Sequence, residues 1–207
     1  MPRSILWGFV LRTFLWLAPC FALWYAVARY HAKLAGWLAH LFVDLFKPGI
    51  VTAVEQPLLD LMFVTTIKVH PTPAQTALLL PEVNPLLYTY GLAFFLALML
   101  AAHAGGWATW RSTGWKKVLL GAALLLPFQA WGIAFDVLVQ VGVKFGPEVS
   151  AQAGLYGWRL DAIALGYQIG NLIFPTLIPV VMWALLNRTF IERCRTAPND
   201  GQSGLAS

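Results

Sequence analysis

A short line of polar residues lies inside an apolar segment that is long enough to cross a membrane. Four residues of the segment Val118–Val143 recur at intervals of three or four positions: Gln129, Gly132, Asp136 and Gln140. This spacing places them on one face of a helix. An Asp at the centre of a membrane helix costs roughly 2.5–3.5 kcal/mol on insertion scales. We therefore expect this line to face other helices or water rather than lipid.

The overall composition is that of a membrane protein. Of the 207 residues, 59% are hydrophobic and 11% are charged, whereas about a quarter of the residues in soluble domains are charged. Four apolar runs are candidate membrane spans: Ile5–Ala28, Leu86–Ala102, Val118–Val139 and Ala162–Leu186. The sequence therefore predicts a mostly α-helical membrane protein with about four transmembrane helices.

The segment between the first two spans combines an amphipathic stretch with short strands. Apolar residues from Lys33 to Lys47 follow a helical period, but the stretch is too short to span a bilayer and predicts an interfacial amphipathic helix. Three segments rich in β-branched and aliphatic residues come after it: Ile50–Gln56, Leu61–Val69 and Gln75–Leu80. With a turn at His70–Pro73, they predict a small β-hairpin or three-stranded flap that rests on the helices or on a partner.

The distribution of basic residues predicts the orientation. The short loop Gly105–Lys117 contains Arg111, Lys116 and Lys117, and positive charge concentrates in cytoplasmic loops. This places both termini in the cytoplasm. The predicted organisation is a first transmembrane helix (1–30), a β-containing extracytoplasmic insert (31–85), three transmembrane helices (86–190) and a disordered cytoplasmic tail (191–207). No basic stripe or soluble domain supports binding to nucleic acid.

Further polar residues are expected to join the polar line in the outer half of the bilayer. Glu82 and Asn84 precede the second span, and Gln168 and Asn171 lie in the first half of the fourth, which runs inward. The candidate intramembrane cluster comprises Glu82, Asn84, Gln129, Asp136, Gln140, Gln168 and Asn171. Two interpretations remain open: the cluster forms hydrogen bonds that hold the helices together, or it is a functional site, as ionisable groups at membrane depth often are.

The fourth span also carries small residues at every fourth position, namely Ala162, Gly166 and Gly170. We call these residues the small-residue face. Small residues at this spacing let another helix approach closely. The sequence therefore predicts that this face packs against a second helix.

The sequence contains no pattern of catalytic or metal-binding residues. Cys20 lies in a predicted span and Cys194 in the tail, and no spacing ties either thiol to a histidine that could activate it. The motifs H-E-x-x-H and C-x-x-C do not occur. We therefore predict no catalytic residues, no metal and no cofactor.

Four segments carry a resemblance to a known family: Leu11–Tyr25, Pro81–Leu92, Leu124–Val141 and Ala164–Phe190. In order and character they resemble the exosortase H-associated membrane proteins. Such proteins occur beside a membrane-embedded sorting enzyme of Gram-negative bacteria, which processes proteins that bear a C-terminal sorting helix. The resemblance implies an inner-membrane location and an accessory role, and it transfers no catalytic residues.

Three functional hypotheses are compatible with these patterns. The first is a non-enzymatic partner that docks against an exosortase through the small-residue face and the polar stripes. The second is a small transporter or lipid-handling protein with a path through Glu82, Asp136 and Asn171, although the apolar segment Val118–Leu126 argues against a path within one subunit. The third, an intramembrane enzyme with Glu82 or Asp136 as general base, has the least support because nothing supplies a nucleophile or metal.

Overall fold

The computed structural model describes residues 3–72, 75–102 and 114–196. Its helices are α1 (Arg3–Phe46), α2 (Leu86–Thr89), α3 (Gly91–Ala102), α4 (Trp115–Val139), α5 (Pro147–Ala153), α6 (Trp158–Gln168), α7 (Phe174–Leu186) and α8 (Arg188–Thr196). The π-helical turn Gln140–Lys144 continues α4, and a second one, Ile169–Ile173, joins α6 to α7. The strands are β1 (Val51–Glu55), β2 (Leu61–Thr65), β3 (Lys68–Thr72), β4 (Gln75–Leu78) and β5 (Glu82–Val83). The described chain is thus mostly helical.

Three helical stretches are long and apolar enough to cross a membrane: Leu6–Phe46, Trp115–Lys144 and Trp158–Leu186. The predicted second span, Leu86–Ala102, is a shorter apolar helix. At 1.5 Å per residue it extends about 25 Å, which is less than the ~30 Å hydrocarbon core of a bilayer. Among the described residues, three candidate spans rather than four therefore meet the length expected of a membrane helix.

The first helix is longer than the sequence analysis predicted. It continues without a break for 44 residues, which corresponds to about 66 Å. The predicted transmembrane helix (Ile5–Ala28) and interfacial helix (Lys33–Lys47) are therefore parts of one element, and the expected boundary at residue 30 lies inside it. Arg29–Ala32 contains no helix-ending signal such as Gly, Asn or Pro, and the helix also continues past Pro19.

Small residues on the second half of α1 allow the strands and α4 to approach closely. Ala32, Ala35 and Ala39 are fully buried, and a Cβ at Gly36 would lie 2.8 Å from a methyl carbon of Leu61 in β2. Two of these alanines belong to a hydrophobic core shared with the strands and α4. The small side chains thus position the strands directly on the helix.

The strands form two small antiparallel sheets. One has the strand order β1–β2–β5, and in the other β3 pairs with β4. The predicted strand Leu61–Val69 is divided between them, because β2 ends at Thr65 and β3 begins at Lys68. The expected turn at His70–Pro73 is also revised, since β3 continues to Thr72. The remaining residue of that predicted turn lies outside the described part of the chain.

Side-chain hydrogen bonds tie these sheets to two helices. The Gln56 amide donates to the backbone carbonyl of Arg29 in α1 at 3.1 Å. The Gln152 amide in α5 donates to the carbonyl of Lys68 at 3.0 Å and accepts from its backbone N–H at 3.3 Å. The β-containing segment is therefore held by helices of the same chain.

The last described helix packs back onto the start of α1. The ring centroid of Phe190 in α8 lies 5.2 Å from that of Phe9 and 6.0 Å from that of Trp183. These aromatic contacts give a reason for helical structure in this region. The tail predicted to be disordered from position 191 is helical as far as Thr196, and positions 197–207 lie outside the described residues.

A buried polar cluster as candidate functional site

Asp136 is paired with three side chains of its own chain. Its Oδ2 accepts a hydrogen bond from the Tyr88 hydroxyl at 3.0 Å. Its Oδ1 lies 3.3 Å from Nε2 of Gln140 and 3.3 Å from Nζ of Lys144. We call these four residues the Asp136 cluster. Asp136 is only 8% exposed, and a charge at such a position requires this kind of pairing.

Local helix geometry allows Lys144 to reach Asp136 from eight positions along the chain. In a regular α-helix this separation is about 12 Å along the axis. Side chains on a helix tilt toward its N terminus, and the long lysine side chain can extend back by more than one turn. The turn Gln140–Lys144 is also π-helical, so the backbone between Asp136 and Lys144 does not follow the course of a regular α-helix. The Lys144 side chain remains 52% exposed, so one end of the ion pair is open to solvent.

The Lys144 side chain also meets α6. Its Nζ lies 5.4 Å from the ring centroid of Tyr167, a distance at which a cation is attracted to the face of an aromatic ring. The Asp136 cluster therefore joins α2, the end of α4 and α6. Tyr167 is the residue of α6 through which this contact is made.

Gly132 makes room for the Tyr88 ring. A Cβ at Gly132 would overlap with that ring and would lie 3.1 Å from the carbonyl oxygen of Gly170. Tyr88 is fully buried at this position. The place of Gly132 in the polar line thus reflects a close approach between helices, and this approach brings the Tyr88 hydroxyl to Asp136.

The small-residue face contacts α4 of the same chain. A Cβ at Gly166 would overlap with the ring of Phe135, and a Cβ at Gly170 would lie 2.8 Å from the Cα of Gly132. Ala162 is half-buried. Because α4 occupies the two glycine positions, they are not free to dock an exosortase. The expected use of this face as the docking surface is therefore revised.

Gln129 belongs to a separate hydrogen-bonded group. Its Oε1 lies 2.7 Å from Nε2 of His31 in α1, and its Nε2 donates to the carbonyl of Thr89 at 3.5 Å. The predicted polar line is thus divided in the structure. One end connects α4 to α1, and the other carries the Asp136 cluster.

The other residues of the predicted cluster have different surroundings. The Glu82 side chain is exposed, and its backbone carbonyl accepts a hydrogen bond of 2.9 Å from Gln140. The exposed Asn84 accepts one of 3.0 Å from the backbone N–H at the start of α2. Gln168 is exposed and Asn171 is half-buried. No hydrogen bond joins either side chain to the Asp136 cluster among the residues that the structure describes.

The sequence pattern does not identify Tyr88, Lys144 or His31 as members of these groups. For Lys144 a signal was present, since it is the first cation after the apolar run that contains Asp136. For Tyr88 and His31 the signal is weak, because other polar or charged residues flank each of them and nothing in the local sequence distinguishes them from those neighbours. Their roles depend on which helices become neighbours.

The chemistry of the Asp136 cluster favours helix assembly. The carboxylate is held by a hydroxyl, an amide and an ammonium group, so its charge is compensated within the chain. Over residues 3–72, 75–102 and 114–196, no group of three or more His, Cys, Asp and Glu side chains is arranged to hold a metal ion. What the arrangement can do is fix the relative positions of the helices that meet there.

Comparison with known families gives a match that covers most of the chain. The model of the family described as exosortase H-associated membrane protein matches residues 3–190. The comparisons with curated proteins and with solved structures give no significant match. The matched range contains all four segments on which the resemblance was based, and the resemblance is confirmed. The chain therefore belongs to the exosortase H-associated membrane protein family.

Proposed function

We propose that the protein is a non-enzymatic accessory that binds exosortase H in the bacterial inner membrane and supports the sorting of C-terminally anchored proteins. The observation that carries the proposal is the family match over residues 3–190. The Asp136 cluster supports it, because its polar groups are engaged with one another. Its role in this proposal is to hold the helices in the arrangement that presents a docking surface.

The contacts at one end of the helices support a topology with both termini in the cytoplasm. The Phe9 ring near the N terminus stacks on Trp183 in α7 at a centroid distance of 5.1 Å. The Lys117 ammonium at the start of α4 donates to the carbonyl of Leu186 at 2.8 Å. The beginnings of α1 and α4 and the end of α7 thus meet on one side. The positive charge of this side favours the cytoplasm, which puts the strands outside.

We assign the docking surface to three exposed leucines on α1, which we call the leucine face. Leu34, Leu41 and Leu45 are 51%, 43% and 78% exposed and recur at helical spacing. The uncharged run Thr13–Ala28 ends at Arg29, and Leu45 lies about 24 Å farther along the helix axis. An exposed apolar face beyond the membrane-length run is typical of a protein interaction surface.

Replacing Leu41 and Leu45 with Gln tests this assignment. The full chain is co-expressed with exosortase H and purified in a mild detergent. Because full burial of a leucine contributes about 1.5–3 kcal/mol, we expect the L41Q/L45Q variant to bind the enzyme at least about tenfold more weakly. The matched control is L58Q/L80Q, which changes two exposed leucines in the β-containing segment.

The control variant should retain the enzyme as the parent does, and thermal melting in detergent should show that both variants are folded. Equal retention by both double variants would show that the leucine face is not the docking surface. A parent chain that does not co-purify with exosortase H would contradict the accessory function itself.

The transporter or lipid-handling hypothesis has weaker support. The Glu82 side chain is exposed, whereas Asp136 is buried and ion-paired. In the described part of the chain no side-chain hydrogen bond links either residue to Asn171. Flux into proteoliposomes that is abolished by Asp136→Asn would favour this hypothesis over the accessory function.

A further inference from the structure

A cavity of about 440 Å³ lies between α1 and the first two strands. This volume is within the range of small-molecule sites, which is about 300–1,000 Å³. One wall comes from a face of α1 that includes Arg29, Lys33 and Trp37, and the facing wall includes Val54 and Leu61. The cavity is separate from the Asp136 cluster and from the leucine face.

The charged groups of the cavity favour an anion. Arg29 and Lys33 are one helical turn apart and both are exposed. Within the described ranges, neither side chain forms an ion pair or a hydrogen bond. No Asp or Glu is among the lining residues. His40, at the other end of the cavity, is engaged with Asp44 at 3.4 Å, so the two unpaired cations dominate.

The position of the cavity along α1 corresponds to a membrane surface. The preceding run Thr13–Ala28 contains no charged residue. From Trp7 to Tyr30 the helix rises about 35 Å, close to the ~30 Å hydrocarbon core plus the start of the headgroup region. Tyr30 and Trp37 both line the cavity and are exposed, and these two residue types are enriched at membrane–water boundaries.

We propose that this cavity binds the phosphate headgroup of an anionic phospholipid from the adjacent leaflet. Arg29 and Lys33 contact the phosphate, while Tyr30, on the membrane side of Lys33, contacts the glycerol. Basic residues beside membrane helices attract anionic lipids in this way. The bound lipid stabilises the contact between α1 and the β-containing segment, because the cavity lies between them.

Titration of short-chain lipids into the full-length protein in a non-ionic detergent tests the proposal. The probes are dioctanoyl phosphatidylglycerol and its zwitterionic counterpart dioctanoyl phosphatidylcholine, and binding is followed by tryptophan fluorescence. We expect the anionic lipid to bind more tightly. Each basic residue near a membrane surface raises the affinity for anionic lipid about fivefold. The R29Q/K33Q variant should therefore bind the anionic lipid about 25-fold more weakly.

The matched control is K68Q/R159Q, which removes the same charge from two exposed positions that do not line the cavity. Its affinity should change by less than about twofold, because isolated surface charges contribute little. Equal binding of the two lipids by the parent, or equal losses in the two double variants, would overturn the proposal.

Two further probes distinguish other sources of negative charge. Glycerol phosphate that binds as tightly as the anionic lipid would show that the cavity recognises a free phosphate compound. If a short acidic peptide displaces the lipid at a lower concentration than the lipid needs for half-saturation, the cavity is a peptide site. Either result would show that the lipid assignment is wrong, whereas failure of both probes to compete would support it.

Discussion

Removal of the Tyr88 hydroxyl deletes the hydrogen bond by which α2 holds the Asp136 carboxylate. Tyr88→Phe retains the aromatic ring that packs against Gly132, so the change is confined to the hydroxyl group. That hydroxyl lies 3.0 Å from Oδ2 of Asp136, and both residues are buried. The variant therefore reports how much this bond contributes to the stability of the helix arrangement.

The expected loss of stability follows from typical hydrogen-bond energies and from the donors that Asp136 keeps. A hydrogen bond to a charged group contributes about 1.5–3 kcal/mol in soluble proteins, while side-chain bonds within a membrane protein average about 0.6 and reach about 1.7 kcal/mol. Asp136 keeps Gln140 and Lys144 as donors, so the larger penalty of an isolated buried charge does not apply. We expect Tyr88→Phe to lower the free energy of unfolding by about 1–2 kcal/mol.

The assay is reversible unfolding in mixed micelles of increasing dodecyl sulfate content, followed by circular dichroism. Tyr90→Phe is the matched control, because Tyr90 is half-buried and its hydroxyl has no hydrogen bond to any residue that the structure describes. A loss below about 0.5 kcal/mol in Tyr88→Phe, or a loss no larger than in the control, would show that the bond to Asp136 does not stabilise the helix arrangement.

Two further changes are measured by the same unfolding assay. Gly132→Ala places a Cβ where the Tyr88 ring lies, and we expect this overpacking to destabilise the protein by about 1–3 kcal/mol. The control Gly8→Ala adds a Cβ in open space and should not lower stability. Equal effects of the two substitutions would contradict the proposed close packing at Gly132. His31→Ala removes the 2.7 Å contact with Gln129 and should lower stability by about 0.6–1.7 kcal/mol, so an unchanged stability would show that this contact does not help to hold α1 against α4.

Features that depend on local sequence could be predicted, whereas features that depend on neighbouring helices could not. The spacing of Asp136 and Gln140 places them on one face whatever surrounds the helix. Their partner Tyr88 is on another helix, and its approach requires the absence of a side chain at Gly132. The same distinction applies to Gly166: its small size indicates close packing, but only the tertiary structure identifies Phe135 as its neighbour.

The continuity of α1 shows a different reason for an incorrect prediction. A change from uniformly apolar to amphipathic sequence near Arg29 indicated two separate helices. No helix-ending signal occurs at that position, and the helix continues past Pro19 and Gly36 as well. The change in polarity instead reflects what surrounds one continuous helix. Its first half has an apolar surface suited to lipid, and its second half packs against the sheet and the cavity near Lys33 and Gly36.

Site-specific photo-crosslinking in membranes that contain exosortase H shows whether the leucine face contacts the enzyme. A benzophenone amino acid is introduced separately at Leu41 and Leu45 on the leucine face, and at the exposed Leu58 in the β-containing segment. We expect crosslinks to exosortase H from Leu41 and Leu45 and none from Leu58. Crosslinks from Leu58 alone, or none from any of the three positions, would contradict it.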